Sequence, residues 1–257
     1  MHPLVLLCFY PSITAFLSHH TFRGPSKQHS QQLGQFESID HAAHPPPLPL
    51  QLINLLSNPP IKYEDGISLQ NEHFLDTIND KLILLQHEPV YTLGSSTSTP
   101  TSTPTPNINS IPTIPTKRGG DITYHGPGQV TAYPILNLKS YKPDIHWYLR
   151  ALEEVVILTL SSYNLFSYRE DSITGVWVDG KKIAAFGVKV KKWRTLHGLA
   201  VNVNKHSVVN FDSIRPCGMD REVTSLEDCL GESVDIEEFG ERLVSNFEFV
   251  FNTKIDF

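Results

Sequence analysis

The sequence predicts an α/β fold of the α+β sandwich type, a mixed sheet with flanking helices rather than a doubly wound parallel sheet. Three observations carry that prediction. Strand-like runs follow one another in hairpin succession around an Asp-Gly turn at Asp179-Gly180. Two stretches instead show helical spacing, behind Asp144 and behind Asp235. Finally, 257 residues, 40% apolar and 19% charged, suffice for a core that buries roughly 70–75% of the unfolded surface without disulfide staples.

The elements follow in order. The first 36 residues contain no acid, and Glu37 is the first. Residues 1–44 are therefore read as a disordered leader of the organellar transit-peptide type, although Arg is sparse for one. A secretory signal is the weaker reading, because no Lys or Arg precedes the apolar residues 4–10. Four prolines within 41–49 make a linker, and 45–257 is taken as one catalytic-sized domain. Residues 81–86 (KLILLQ) form a short buried strand. In 95–116, seventeen of 22 residues are Ser, Thr or Pro; with few amide donors and little apolar area, most of it is expected to be loop. Residues 129–138 alternate as a strand. Asp144 is the N-cap of a helix of about five turns, because Leu149, Leu152, Val156 and Leu160 lie on one face. Residues 175–178 and 183–191 flank the Asp-Gly hairpin, and 199–204 is a further strand. A last helix begins at Asp235, with Glu238 completing a capping box and Ile236, Phe239, Leu243, Phe247 and Val250 as its apolar face.

Composition excludes several classes. The net charge is -6, from 21 basic and 27 acidic residues, so the chain lacks the basic footprint of a nucleic-acid binder. No apolar run approaches the roughly 18–20 residues that span a membrane. Three cysteines, Cys8, Cys217 and Cys229, provide neither a disulfide framework nor zinc-knuckle spacing, and no His/Cys cluster suggests a metal.

Four places carry chemistry. Residues 118–129 read RGGDITYHGPGQ, with four glycines in twelve residues. This is neither a Walker loop nor a dinucleotide fingerprint. It is either a tight turn or a ligand loop, and its polar and aromatic side chains favour the ligand. Cys217 stands between Pro216 and Gly218, two residues after Arg215; a turn cysteine beside a cation is an accessible thiolate candidate, whereas Cys229 reads as packing. Lys182 enters the apolar strand that starts at Ile183, where desolvation makes a lysine proton labile. From Lys181 to Arg194 there are six basic residues and no acid, which marks either a docking face for an acidic partner or simply a solvated strand face. His87 and His197 are read as structural, since neither shows metal spacing.

Taken together, residues 118–129, Gly180-Lys181-Lys182-Ile183-Ala184-Ala185-Phe186-Gly187, Leu196-His197-Gly198-Leu199-Ala200-Val201-Asn202-Val203-Asn204 and Pro216-Cys217-Gly218 resemble, in order and spacing, the lipoyl (octanoyl) transferase B family, the octanoyl-carrier-protein:protein N-octanoyltransferases. His87-Glu88-Pro89-Val90-Tyr91-Thr92 resembles the segment upstream. The resemblance covers about 81–225. It implies a fold shared with lipoate and biotin protein ligases and a catalytic pair on Cys217 and Lys182. Its substrate-lining positions fall on Arg118, Gly119, Gly120, Asp121, Ile122, Thr123, Tyr124 and His125, on Ala185, Phe186 and Gly187, and on Gly198, Leu199 and Ala200. Phe186 departs from the smaller aliphatic residue common there. The resemblance also implies no cofactor, octanoyl-acyl carrier protein as donor, and lipoyl domains of 2-oxoacid dehydrogenase complexes and the glycine cleavage H protein as acceptors. For a eukaryotic chain it implies the mitochondrion. Acyl transfer suits these residues: one thioester replaces another, and an amine then takes the acyl group downhill without ATP. The competing readings are an ATP-dependent lipoate–protein ligase, a non-catalytic acyl-carrier docking protein, and a Cys–His hydrolase with His197 as base.

Overall fold

The strand Asp80–Leu85 is buried along its whole length, and its alternation sets the architecture. Leu82 and Leu84 join one apolar cluster; Ile83 and Leu85 join another. Successive side chains of a strand point to opposite faces, so the sheet is covered on both. The computed structural model describes residues 47–97, 107–171, 173–214 and 222–256, all within one compact unit. The leader at 1–44 with Cys8, the middle of the Ser/Thr/Pro segment, and Cys217 with Arg215, Pro216 and Gly218 lie outside the described residues.

In chain order the elements are β1 (Leu50–Asn54), α1 (Tyr63–Phe74), β2 (Asp80–Leu85), β3 (Val90–Leu93), β4 (Thr113–Pro115), β5 (Thr123–His125), β6 (Gln129–Ile135), α2 (Ile145–Ser161), β7 (Val176–Val178), β8 (Lys181–Lys191), β9 (Arg194–Asn202), α3 (Leu226–Leu230), α4 (Ile236–Phe251) and β10 (Ile255–Asp256). A seven-stranded sheet runs β10-β1-β2-β6-β9-β8-β7, and a three-stranded sheet runs β4-β3-β5. In the large sheet β1 is parallel to β2 and β10, while the remaining pairs are antiparallel. This is the mixed sheet with flanking helices that the sequence predicts. Leu152, Val155 and Val156 of α2 and Phe239, Phe247 and Phe251 of α4 pack with Leu82, Leu84, Val130, Ala184 and Val201. Leu69 and Phe74 of α1 pack on the other cluster.

The predicted caps are present. The Asp144 carboxylate accepts from the amides of His146 and Trp147, and that of Asp235 from Glu237 and Glu238. The capping box is left half-made, because the Glu238 carboxylate instead pairs with Arg242 one turn on. Asp179 (φ 47°) and Gly180 (φ 80°) supply the two left-handed positions of the β7–β8 hairpin.

Four differences have local causes. The predicted strand at 199–204 begins earlier, at Arg194, because Lys192 (φ 52°) and Trp193 (φ 66°) make a tight hairpin turn without the usual Asn or Gly. The strand at 129–138 stops at Ile135; Asn137 then accepts from the Lys139 amide and turns the chain into a 3-10 turn. The end of the Ser/Thr/Pro segment is not loop: Thr113–Pro115 pairs in parallel with β3. The helix α1 is absent from the sequence reading, since Lys62 at its N-cap makes no side-chain cap and most of its residues are polar.

Candidate active site

A cavity of about 470 Å³ lies between the glycine-rich segment, β6, β8 and β9. Its lining gathers Arg118, Gly119, Gly120, Asp121, Ile122, Thr123 and His125 from the first predicted stretch. From β8 come Lys182, Ala185, Phe186 and Gly187, and from β9 Gly198, Leu199 and Ala200. Of the predicted positions, Tyr124 is not in the lining. It faces away, packed between Tyr91 and Phe211, and its hydroxyl accepts from Asn210. Cys217 lies outside the described residues.

Small residues make the hollow. Gly187 and Gly198 face each other in the β8–β9 register. A Cβ on Gly198 would lie 2.2 Å from the Ala132 carbonyl oxygen, so no other residue keeps β9 at this distance from β6. Arg118 fastens the loop. Its guanidinium is buried and donates to the Thr92 hydroxyl and carbonyl and to the carbonyls of Gly119 and Asp121. The glycine-rich segment is thus both of the alternatives open in the sequence: β5 pairs with β3, and the flanking turns line the cavity.

At one end stands Lys182. Its Nζ donates to the Thr174 carbonyl at 3.4 Å and lies 5.1 Å from the centre of the fully buried Trp177 ring. Both contacts attract an ammonium ion. Lys182 is also where the chain returns after Cys217: its amide donates to the Glu222 carbonyl, and the Thr224 amide donates to the Lys182 carbonyl. Val223, between them, lines the same cavity. Lys181 points the other way and pairs with Glu222 at 2.5 Å.

At the other end His125, His197, Tyr63 and Tyr133 line the cavity, and His87 packs behind them. His87 Nδ1 donates to the Ile61 carbonyl, so its Nε2 accepts from the Tyr133 hydroxyl at 2.7 Å. Gln129 gives its amide hydrogens to Tyr124 O and Asn202 Oδ1; its oxygen therefore faces His125 Nδ1, which donates at 2.7 Å. Burial holds His87 and His197 down to about 4, and burial with the neighbouring His87 and Arg118 charges holds His125 well below the usual value. Burial likewise pushes Tyr63 up to about 12. The histidines and tyrosines of this end are neutral at pH 7, beside the buried Arg118 guanidinium, whose charge opposes protonation of His125 and His197. His197, read from sequence as structural, lines the cavity in a left-handed conformation (φ 58°). Tyr63, Tyr133 and Thr131 are lining residues that the sequence reading missed, while Gln129 closes the 118–129 stretch; Tyr63 arrives on the unforeseen helix α1.

The basic run is not one face. Arg194 is buried beside Asp80 at 3.9 Å, and Lys181 is paired. Lys189, Lys191 and Lys192 remain toward the β8–β9 tip, and Lys191 is nine residues and about 30 Å along the strand from Lys182. Cys229 sits half-buried in α3 with Sγ 3.5 Å from Thr224 Oγ1, and burial raises its thiol pKa. Among the described residues there is no cluster of three or more His, Cys, Asp or Glu fit for a metal, and no helix long and apolar enough to cross a membrane.

A slot walled by small and aromatic residues and ending at a lysine, on a mixed sheet backed by helices, is the frame of a domain that handles acyl groups. The chain belongs to the lipoyl protein ligase A/B catalytic domain family, which matches residues 63–248. Its relatives narrow this further. It is 44% identical to an octanoyltransferase of Nostoc sp., over 69% of this chain and 80% of that one. It is 51% identical to octanoyltransferase LIP2p2, chloroplastic, of Arabidopsis thaliana, over 55% of this chain and 50% of that one. In fold it is similar to a bi-partite lipoate protein ligase of Thermoplasma acidophilum, with TM-score 0.61, 17% identity and coverage of 83% and 86%.

Proposed function

We propose that this protein is an acyltransferase that moves an octanoyl group from octanoyl-acyl carrier protein to the lysine of lipoyl domains, in lipoate biosynthesis. The observation that carries the mechanism is the backbone pairing of Lys182 with Glu222 and Thr224, which seats the chain beside Lys182 five residues after Cys217. In this reading the Cys217 thiolate attacks the donor thioester. The carrier leaves as its thiolate and takes a proton from Lys182. The acceptor amine then attacks the Cys217 thioester, an amide forms, the amine's proton passes to Lys182, and the cysteine is released as thiolate.

The alternative base, His197, pairs with Val188, six residues and about 20 Å along β8 from Lys182. One sulfur is served by one or the other, not both. Burial, with the Arg118 and Lys189 charges, keeps His197 a weak base, and the small and aromatic side chains around it suit an apolar tail instead. Phe186, in the wall between the two ends, narrows the path of that tail.

The acceptors proposed are lipoyl domains of 2-oxoacid dehydrogenase complexes and the glycine cleavage H protein, with the mitochondrion as compartment on the strength of the acid-free leader. Fusing residues 1–44 to a fluorescent reporter tests the compartment: mitochondrial signal supports it, and chloroplast or cytosolic signal contradicts it. For the reaction, the protein is mixed with octanoyl carrier protein and a lipoyl domain, with no ATP. A gain of one octanoyl group on the lipoyl domain supports transfer; modification only when ATP is added contradicts it.

A further inference from the structure

Glu153 is fully buried on α2 and touches no part of the cavity. A buried carboxylate is costly unless it is paired and hydrogen-bonded. Its Oε2 accepts from Arg150 at 2.7 Å and lies 3.7 Å from Arg169, and its Oε1 accepts from the Gly175 amide at 2.9 Å. Arg150 also reaches the carbonyls of Glu170 and Asp171, and Arg169 pairs with Glu154. The chain before β7 is thereby tied to α2 at several points. The tie at Gly175 differs from the rest. The Gly175 N–H belongs to the same peptide unit as the Thr174 carbonyl, and that carbonyl accepts from Lys182 Nζ. In a trans peptide the N–H and C=O point to opposite sides. The carboxylate therefore stands at one edge of the peptide plane and the ammonium at the opposite edge. A charge-assisted bond to the N–H polarises the amide and strengthens its carbonyl as an acceptor. Gly175 also leaves room for the lysine stem: a Cβ there would fall 2.8 Å from Lys182 Cε and 2.6 Å from the Trp177 ring.

We propose that Glu153 is a positioning residue for Lys182, acting on the ammonium through the Thr174–Gly175 peptide. This rests on Lys182 being the proton-handling group of the transferase. Glu153 sets both the direction of the Thr174 carbonyl and its electron density, and so fixes where the lysine proton stands.

The experiment measures steady-state octanoyl transfer by the full chain carrying Glu153→Gln, Lys182→Ala, or both, with folding checked by circular dichroism. Gln preserves an acceptor for the Gly175 amide and removes the charge. Glu153→Gln is expected to lower kcat about tenfold or more, with the donor KM unchanged. In the Lys182→Ala background it should cost nothing further, because the group it acts through is gone. Glu153→Asp retains the charge and should recover part of the loss; it also carries the test should the Gln variant fold poorly between two arginines. A purely structural Glu153 would slow both backgrounds alike, and equal losses overturn the proposal. So does a Glu153→Gln rate equal to wild type while Lys182→Ala is slow. If Lys182→Ala itself transfers at the wild-type rate, the reading of Lys182 has failed and this proposal falls with it.

Discussion

The two ends of the cavity lie along the same strands and hold their titratable groups in different charge states. At the Lys182 end a carbonyl and an indole face hold a cation, and the chain returning from Cys217 is bonded to the lysine's own backbone. At the other end His125 and His197, with His87 behind them, are buried and neutral at pH 7, fixed by Tyr133, Gln129 and ring contacts. Six residues of β8 separate the two. The contrast shows that titratable residues in one cavity are not equal candidates for chemistry. Partners decide: His125 and His197, buried and facing the Arg118 guanidinium, are kept neutral as part of a wall, whereas Lys182 has a carbonyl and an indole face that favour its charge.

The largest expected effect breaks the charged end. Lys182→Ala should slow octanoyl transfer about 10²-fold or more, the usual scale for a general acid–base group. Lys181→Ala, which loses only the exposed pair with Glu222, should leave the rate within about twofold. Equal losses in the two variants would remove the distinction between the ends. Next, the slot itself depends on Gly198. Gly198→Ala puts a methyl group against the Ala132 carbonyl and should cost about 2–3 kcal/mol in urea unfolding; an unchanged midpoint would show that β6 and β9 move apart freely.

Acid should sharpen the comparison at the histidine end. His87 falls from 6.5 to about 4 on folding, so the unfolded chain binds the extra proton between those values. Its contribution to stability is complete above pH 6.5 and is lost as pH falls toward 4. Asp80, raised from 3.8 to about 6 by burial, works in the opposite sense over the same range. The difference between wild type and His87→Gln therefore isolates the histidine: the stability gap should shrink as pH falls from 6.5 to 4. A gap independent of pH would contradict a neutral His87. The smallest effect is expected from the basic tip. Reversing Lys191 and Lys192 should raise the KM for octanoyl carrier protein a fewfold at low salt and leave a small octanoyl thioester unaffected; equal change with both substrates would place these lysines at the acyl site instead.

Much of this was legible in the sequence where the signal is local. Asp144 and Asp235 announce their helices by capping chemistry, and Asp179-Gly180 announces its hairpin by left-handed backbone. The cavity-lining residues from Arg118 to Thr123 with His125, from Ala185 to Gly187 and from Gly198 to Ala200 came from the family resemblance, and the structure gathers them. What was hidden depends on tertiary partners. The Lys192-Trp193 turn has no Gly or Asn to mark it. The helix α1 lacks a side-chain cap, and with it Tyr63 was missed. Tyr124 sits within a stretch whose neighbours line the cavity, yet strand alternation turns it to the back. Arg194 reads as surface charge until Asp80 is placed beside it.

The central claim is that Cys217, served by Lys182, carries the acyl group. It is tested most directly by intact-mass measurement of the protein after mixing with octanoyl carrier protein in the absence of acceptor and ATP. The account predicts a gain of one octanoyl group, labile to hydroxylamine as a thioester is, retained in Cys229→Ser and lost in Cys217→Ser together with transfer. A Cys217→Ser protein that still modifies the lipoyl domain at the wild-type rate would contradict it.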